Sequence, residues 1–179
     1  MRFERRLSFC GIMLTSLCGF GCTASSQQEN ADPPVSKAPS VNQPATGEKV
    51  TPPMPSTAGP VDTDAPEEFS KTESGLKYRI RRNSDGKKPT KANTVKVNYH
   101  GWTDNGKVFD SSYDRGEPIE FPLGGVIPGW TEGMQLVGEG GMIELEIPSE
   151  LGYGPQGTPD GSIPPNATLH FLVELIEVK

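Results

Sequence analysis

Val97-Asn98-Tyr99-His100-Gly101 is followed by Val108-Phe109-Asp110-Ser111-Ser112, then by Val126-Ile127-Pro128-Gly129-Trp130, then by Leu151-Gly152-Tyr153-Gly154. In the first piece Val95, Val97 and Tyr99 alternate with Lys96, Asn98 and His100. A period of two over that length predicts a half-buried β-strand. Thr103-Asp104-Asn105-Gly106 is a hairpin-type turn. Lys107 to Ser111 begins the next strand, and Ile119 to Leu123 a further short one.

The same period recurs on both sides of this stretch. Leu76, Tyr78 and Ile80 alternate with Lys77, Arg79 and Arg81 until Asn83-Ser84-Asp85-Gly86 breaks the run. Ile143, Leu145 and Ile147 alternate with Met142, Glu144 and Glu146, and Leu169, Phe171, Val173 and Leu175 alternate with His170, Leu172, Glu174 and Ile176. Period two therefore predicts an antiparallel sheet with one solvated face. One segment departs: Trp130, Met134 and Val137 are spaced four and three, a short helix period that Gly138 can end. A single short helix against one curved sheet is an α+β domain.

Upstream the composition changes. Nine of the eighteen prolines fall between Pro33 and Pro66, while the large apolar residues concentrate from Phe69 onward. Residues 23–68 show no helical or strand period, and such a segment cannot bury enough apolar surface to offset its ordering entropy. They are expected to form a disordered Pro-rich spacer, leaving residues 69–179 as the folded domain. At the N-terminus Arg2, Arg5 and Arg6 precede an apolar run from Leu7 to Phe20 that is too short to span a bilayer comfortably. A basic start followed by a short apolar core reads as an export signal over residues 1–22. Gly19-Phe20-Gly21-Cys22 resembles a bacterial lipoprotein box, which implies lipidation of Cys22 and a membrane anchor; Gly19 departs from the usual aliphatic residue, and cleavage after Ala24 is the alternative.

Composition also excludes chemistries. The net charge is −6, with no basic run beyond the N-terminus, so no nucleic-acid interface is expected. All three cysteines (Cys10, Cys18 and Cys22) precede the domain, so it holds neither a disulfide framework nor a cysteine metal site. His100 and His170 sit on the polar phase of their strands and are expected to be exposed; neither a metal nor any other cofactor is expected. Glu144 and Glu146 read as a solvated face, and the glycines punctuate turns without forming a phosphate loop.

In order and spacing, the four quoted pieces closely resemble the FKBP family of peptidyl-prolyl cis-trans isomerases. The resemblance runs from about Gly75 to Lys179. It implies a curved five-stranded antiparallel sheet wrapped around one short helix, with a ligand cup between them. Carried across, Trp130 becomes the cup floor and Tyr99, Phe109, Tyr153 and Phe171 its walls. Val126 and Ile127 form one side, with the Ile127 amide as a donor, while Phe121 and Ile163 complete the apolar rim. Asp110 and Arg115 supply polar edge groups as a rim pair, and the Tyr153 hydroxyl a further donor. Taken alone, Trp130 would be core, and Asp110 would cap the Ser111-Ser112 turn. Ile119 stands where many members have an aromatic, and Thr158 and Ser162 where others place bulkier groups.

A cup of that composition suits a proline ring and offers no nucleophile or acid/base pair. The expected function is catalysis of X–Pro isomerisation during folding of exported proteins, in the cell envelope or periplasm, with proline-containing polypeptides as partners. The alternative is a non-catalytic proline-peptide binding module or holdase chaperone. Tyr153 to Leu169 leaves no room for an inserted chaperone domain, and Thr23 to Glu68 is too proline-rich for a helical dimerisation arm, so a monomer is expected.

Overall fold

Residues 49–179 are described by a computed structural model. The expected export signal, Cys22 and the first part of the expected spacer lie outside the described residues. The strands are β1 (Ser70–Lys71), which no sequence pattern marks, and the expected β2 (Lys77–Arg82), β3 (Thr94–Thr103), β4 (Val108–Ser111), β5 (Ile119–Pro122), β6 (Met142–Ile147) and β7 (Leu169–Val178). Every pairing is antiparallel, in the order β1-β2-β6-β7-β3-β4. β5 pairs with the first half of β3 and β4 with the second, so the two share one position at the sheet edge. The sheet is thus five strands wide, as the resemblance implies, with the two-residue β1 added outside β2. Register shifts at Ile80/Arg82, Lys96/Val97 and Gly101/Trp102 mark irregularities of the kind that bend and twist a sheet.

Helix α1 (Ser112–Arg115) is a single turn that the sequence patterns do not reveal. The helix expected from the four-and-three spacing is α2 (Pro128–Gly133), continued by a 3-10 turn over Met134–Leu136. It opens on Pro128, whose fixed φ suits a first helical position. A helix this short has no stability of its own. Packing holds it: Trp130, Met134 and Val137 are buried against Val97, Tyr99, Leu145, Ile147, Phe171 and Val173 in one cluster. Full burial of a large aliphatic side chain contributes about 1.5–3 kcal/mol.

The approach of α2 to β6 depends on a glycine. A Cβ on Gly129 would lie 2.5 Å from Ile147 Cγ2. Ile147 is fully buried, and its β-branched side chain is stiff at χ1, so it cannot yield. Gly129→Ala is therefore expected to lower stability by about 1–3 kcal/mol, despite the better helix propensity of alanine. Urea unfolding measures this; an unchanged or raised midpoint would show that the helix can move off the sheet freely.

The outer face of the sheet differs from expectation. Residues 49–68 contain neither helix nor strand, yet they cross that face as a strap. The Val50 amide donates to Asp104 O at 3.1 Å, the Asp62 amide to Arg81 O at 2.8 Å and Arg82 Nη1 to Pro60 O at 3.2 Å. Lys49 pairs with Glu146, and the Phe69 ring lies beneath Lys49 and Arg79. Under the strap, Ala58 and Val61 pack on Trp102, Met142 and Leu172 as a second small core. His100, His170 and Glu144 are consequently buried, at 7, 1 and 8% exposure, where exposure was expected. The polar phase of the strands faces the strap, and periodicity cannot show that a distant segment covers it.

Desolvation holds both histidines below the ordinary value of 6.5, although Asp114 opposes this at His100 and Asp104 at His170. The unfolded chain therefore takes up these protons first as the pH falls. Stability is fully present above about pH 6.5 and declines below it. Melting temperatures between pH 8 and 5 are expected to fall through this window, with a smaller fall in His100→Phe. A flat or rising curve would contradict the burial of these rings.

Candidate active site

The concave face of the sheet opens beside α2 into a cup of about 560 Å³. Trp130, fixed by the first turn of α2, is 4% exposed and stands nearly perpendicular to three rings. Its centroid distances are 5.4 Å to Tyr99, 5.8 Å to Phe121 and 5.3 Å to Phe171. Phe109 meets Phe171 edge-on at 5.4 Å. Such T-shaped pairs set the electropositive edge of one ring against the face of the next, which fixes their orientation. Tyr99 and Phe171 come from β3 and β7, Phe109 from β4 and Phe121 from β5, so the walls depend on four strands in register.

Asp110, Arg115 and Tyr99 form the polar edge. The Tyr99 hydroxyl and Arg115 Nη1 both donate to the Asp110 carboxylate, and Arg115 Nη2 donates to the Tyr99 oxygen at 2.8 Å. Burial and the Asp110 hydrogen bond push the Tyr99 phenol up to about 12, so it is a neutral donor at every ordinary pH. Burial pushes the Asp110 carboxyl up, but the hydrogen bonds from Tyr99 and Arg115 outweigh it and hold the group below its usual value. The Ser111 hydroxyl caps α1 by accepting from the Asp114 amide at 3.3 Å, while Ser112 Oγ accepts from the Tyr99 amide at 2.9 Å. These bonds tie the turn carrying Arg115 to the strand carrying Tyr99.

The other expected cup residues also come together. Phe121, Val126, Ile127, Tyr153 and Ile163 line the cup with Trp130 and the walls, and Arg115 stands behind Asp110 at its edge. Val126 and Ile127 are held by the junction into α2, where Thr131 Oγ1 donates to Leu123 O at 2.8 Å. The Ile127 amide has no acceptor among the described residues. Tyr153 is 43% exposed at the mouth. The polar side chains of the lining are hydroxyls, the Trp130 indole and two carboxylates already engaged in hydrogen bonds, Asp110 with Tyr99 and Arg115 and Asp160 with Ser162.

Three positions belong to the site beyond those expected. Gly125 and Asp160 line the cup with Thr158 and Ser162. Asp160 accepts from the Ser162 amide at 3.1 Å and from its hydroxyl at 2.8 Å, and hydrogen bonds from Thr158 and Ser162 hold it down at about 2. No pattern marks these loop positions in advance. Gly101 lies behind the walls: a Cβ there would sit 2.8 Å from both Phe109 Cζ and Phe171 Cε1. A glycine inside a strand was the available signal, since it often marks close approach of a neighbour.

The family described as FKBP-type peptidyl-prolyl cis-trans isomerase matches residues 85–176. A probable FKBP-type peptidyl-prolyl cis-trans isomerase of Haemophilus influenzae is 55% identical over 107 residues, covering 60% of this chain and 44% of that protein. The FKBP-type peptidyl-prolyl cis-trans isomerase FkpA of Escherichia coli is 53% identical over 116 residues, covering 64% and 42%. The crystal structure of FkpA from Escherichia coli superposes with a TM-score of 0.61 at 49% identity, covering 64% of this chain and 53% of that one. The match thus spans less than half the length of these two curated relatives.

Proposed function

The chain belongs to the FKBP-type peptidyl-prolyl cis-trans isomerase family, and from that premise we propose that it accelerates cis–trans isomerisation of X–Pro bonds in polypeptides. The observation that carries the reading is the cup itself, a Trp130 floor with Tyr99, Phe109, Phe121 and Phe171 at its walls and rim, enclosing about 560 Å³. The X–Pro bond must lose amide resonance to rotate, against a barrier of roughly 18–20 kcal/mol. The twisted amide is less polar than the planar one, so water favours the planar ground state. Transfer into an apolar, water-poor cup removes that advantage and binds the twisted form relatively better. The Ile127 amide and the Tyr153 hydroxyl supply donors for substrate carbonyls and hold the peptide in one orientation. Asp110 acts by positioning: it fixes Tyr99 and Arg115 at the cup edge.

No step in this mechanism moves a proton, and the groups around the cup are held away from neutrality. Tyr99 stands near 12, Tyr153 is raised by burial, Asp160 is near 2 and Asp110 is lowered. The pH profile of kcat/KM is therefore expected to be flat from pH 7 to 9. A bell or a step inside that range would require an acid or base that the cup does not contain. The function itself is tested by NMR exchange or protease-coupled kinetics of the purified protein on an Ala-X-Pro-Phe peptide. Failure of a folded protein to accelerate exchange at micromolar concentration sinks the isomerase reading. Aggregation suppression that survives in a Phe109→Ala, Asp110→Ala double variant would then favour the binding-module alternative.

We also propose that the protein is exported and acts on proline-containing clients in the cell envelope. The basic start and the apolar run from Leu7 to Phe20 support this, followed by the proline-rich composition from Pro33 to Pro66. Mass spectrometry of the mature N-terminus separates lipidation of Cys22 from cleavage after Ala24.

A further inference from the structure

Across the sheet from the cup, a second cavity of about 120 Å³ lies between the strap and the outer face. Its floor is Trp102, whose indole stacks on His170 at 5.6 Å and 22° and lies 5.8 Å from His100. Its lid is the strap sequence Thr51-Pro52-Pro53-Met54-Pro55. This is how proline-rich segments are recognised generally: the prolines preset an extended chain, and an aromatic platform receives their rings. Prolines lack an N–H, so such a segment offers a groove mainly carbonyl acceptors.

The intramolecular occupant fits this groove incompletely. Trp102 Nε1, Arg81 Nε and both ring nitrogens of His100 are buried and find no hydrogen-bond partner among the described residues. Arg81 Nε approaches no closer than 3.7 Å to Glu144. Two of these groups are obligate donors, and an unmet buried donor is destabilising. A neighbouring strap carbonyl would have met them in a tightly fitted complex. Instead an unfilled space remains between Trp102 and the prolines. The strap is anchored mainly at its two sides, by Lys49 and Val50 and by Pro60 and Asp62.

We propose that the outer face around Trp102 is a second polypeptide-binding groove, separate from the cup, for an extended proline-rich segment of another protein, and that Thr51–Pro55 is its displaceable intramolecular occupant. The ligand carries adjacent prolines beside an aliphatic or thioether side chain, as the strap does. Its carbonyls accept from Trp102 Nε1 and Arg81 Nε. The tethered strap competes at a high effective concentration, so the apparent affinity in trans is the intrinsic one multiplied by the fraction of molecules in which the strap is unseated.

The test uses the full chain, 15N-labelled, and a synthetic peptide with the sequence of residues 49–62. The two tryptophans give two indole signals, assigned with Trp102→Phe. The peptide is expected to move the Trp102 signal saturably while Trp130 stays in place. In a Pro52→Ser, Pro53→Ser, Pro55→Ser variant the affinity is expected to rise about tenfold or more, because the competing occupant is loosened. Trp102→Phe keeps an aromatic platform but removes the donor, and is expected to weaken binding about tenfold, the value of one good hydrogen bond, read from the backbone amide signals of His100 and His170. An unmoved Trp102 signal in a folded triple variant overturns the proposal. Movement of Trp130 alone also overturns it, by showing the peptide in the cup as a substrate. Peptide-independent dimerisation of the triple variant would assign the groove to a second copy of this chain instead. If the triple variant does not fold, titration of the unaltered protein to millimolar peptide decides: a saturable Trp102 shift supports the groove, and its absence removes it.

Discussion

Trp130→Ala is expected to abolish measurable isomerase activity and to lower stability by about 3–5 kcal/mol, the range for truncating a buried aromatic. Both effects follow from one position. The indole is 4% exposed, joins α2 to the sheet and makes edge-on contacts with Tyr99, Phe121 and Phe171. Each such contact contributes about 0.5–1.5 kcal/mol beyond area burial. The cavity left by alanine would admit water to the floor of the cup and restore the solvation that favours the planar amide. Trp130→Phe separates the two roles. It keeps an apolar floor and removes an indole N–H that has no partner among the described residues, so it should retain activity within about tenfold while losing only part of the stability. Urea unfolding and NMR exchange on both variants provide the check. A Trp130→Ala protein with unaltered kcat/KM would move the reaction out of this cup.

Asp110→Ala is expected to show the opposite balance, a large kinetic loss with little loss of stability. The carboxylate is the hub of the cup edge, accepting from Tyr99 and Arg115 at once. Hydrogen bonds to a charged group contribute about 1.5–3 kcal/mol, which corresponds to a drop of about 10- to 100-fold in kcat/KM if that ordering is lost in the transition state. The ion pair itself is 40% and 42% exposed, and exposed pairs contribute about 0–1 kcal/mol to folding. Asp110→Asn keeps the shape but not the charge, and should fall between the two. Because the Asp110 pKa is lowered in the folded protein, its stabilising effect is present above the ordinary carboxylate range and fades as the pH falls through the lowered value. The alanine variant should lack that acid-side loss. A large stability change with unchanged kinetics would reassign Asp110 to the fold alone.

Much of the cup was legible before any coordinates. Tyr99 and Phe171 sit on strands whose alternation assigns each a face, and the four-and-three spacing of Trp130, Met134 and Val137 gives the indole a helix face to share with them, while Phe109 and Phe121 were marked only by the motifs. The motif order then supplied what spacing could not, namely that these rings bound an open cup. The lone turn of α1 was not legible, because four residues carry no period. Gly101 was visible only as an unexplained glycine within a strand. Asp160 had no signal, because its position in the cup depends on how the loop from Pro155 to Pro165 folds back through Thr158 and Ser162.

The outer face marks the division most sharply. His100, Trp102, Glu144, His170 and Leu172 alternate with core residues, and periodicity assigns them correctly to the other side of the sheet. Whether that side meets water is a different question. It is answered by residues 49–68, which have no period and are remote in sequence from β3, β6 and β7. The sequence by itself determined the strands, the helix and the wall residues of the cup, because those follow from local periods of two and 3.6 and from ordered motifs. Only the tertiary structure decided that the strap covers Trp102 and buries two histidines, because burial of one surface by a distant segment depends on where the chain returns in space, and no local pattern encodes that.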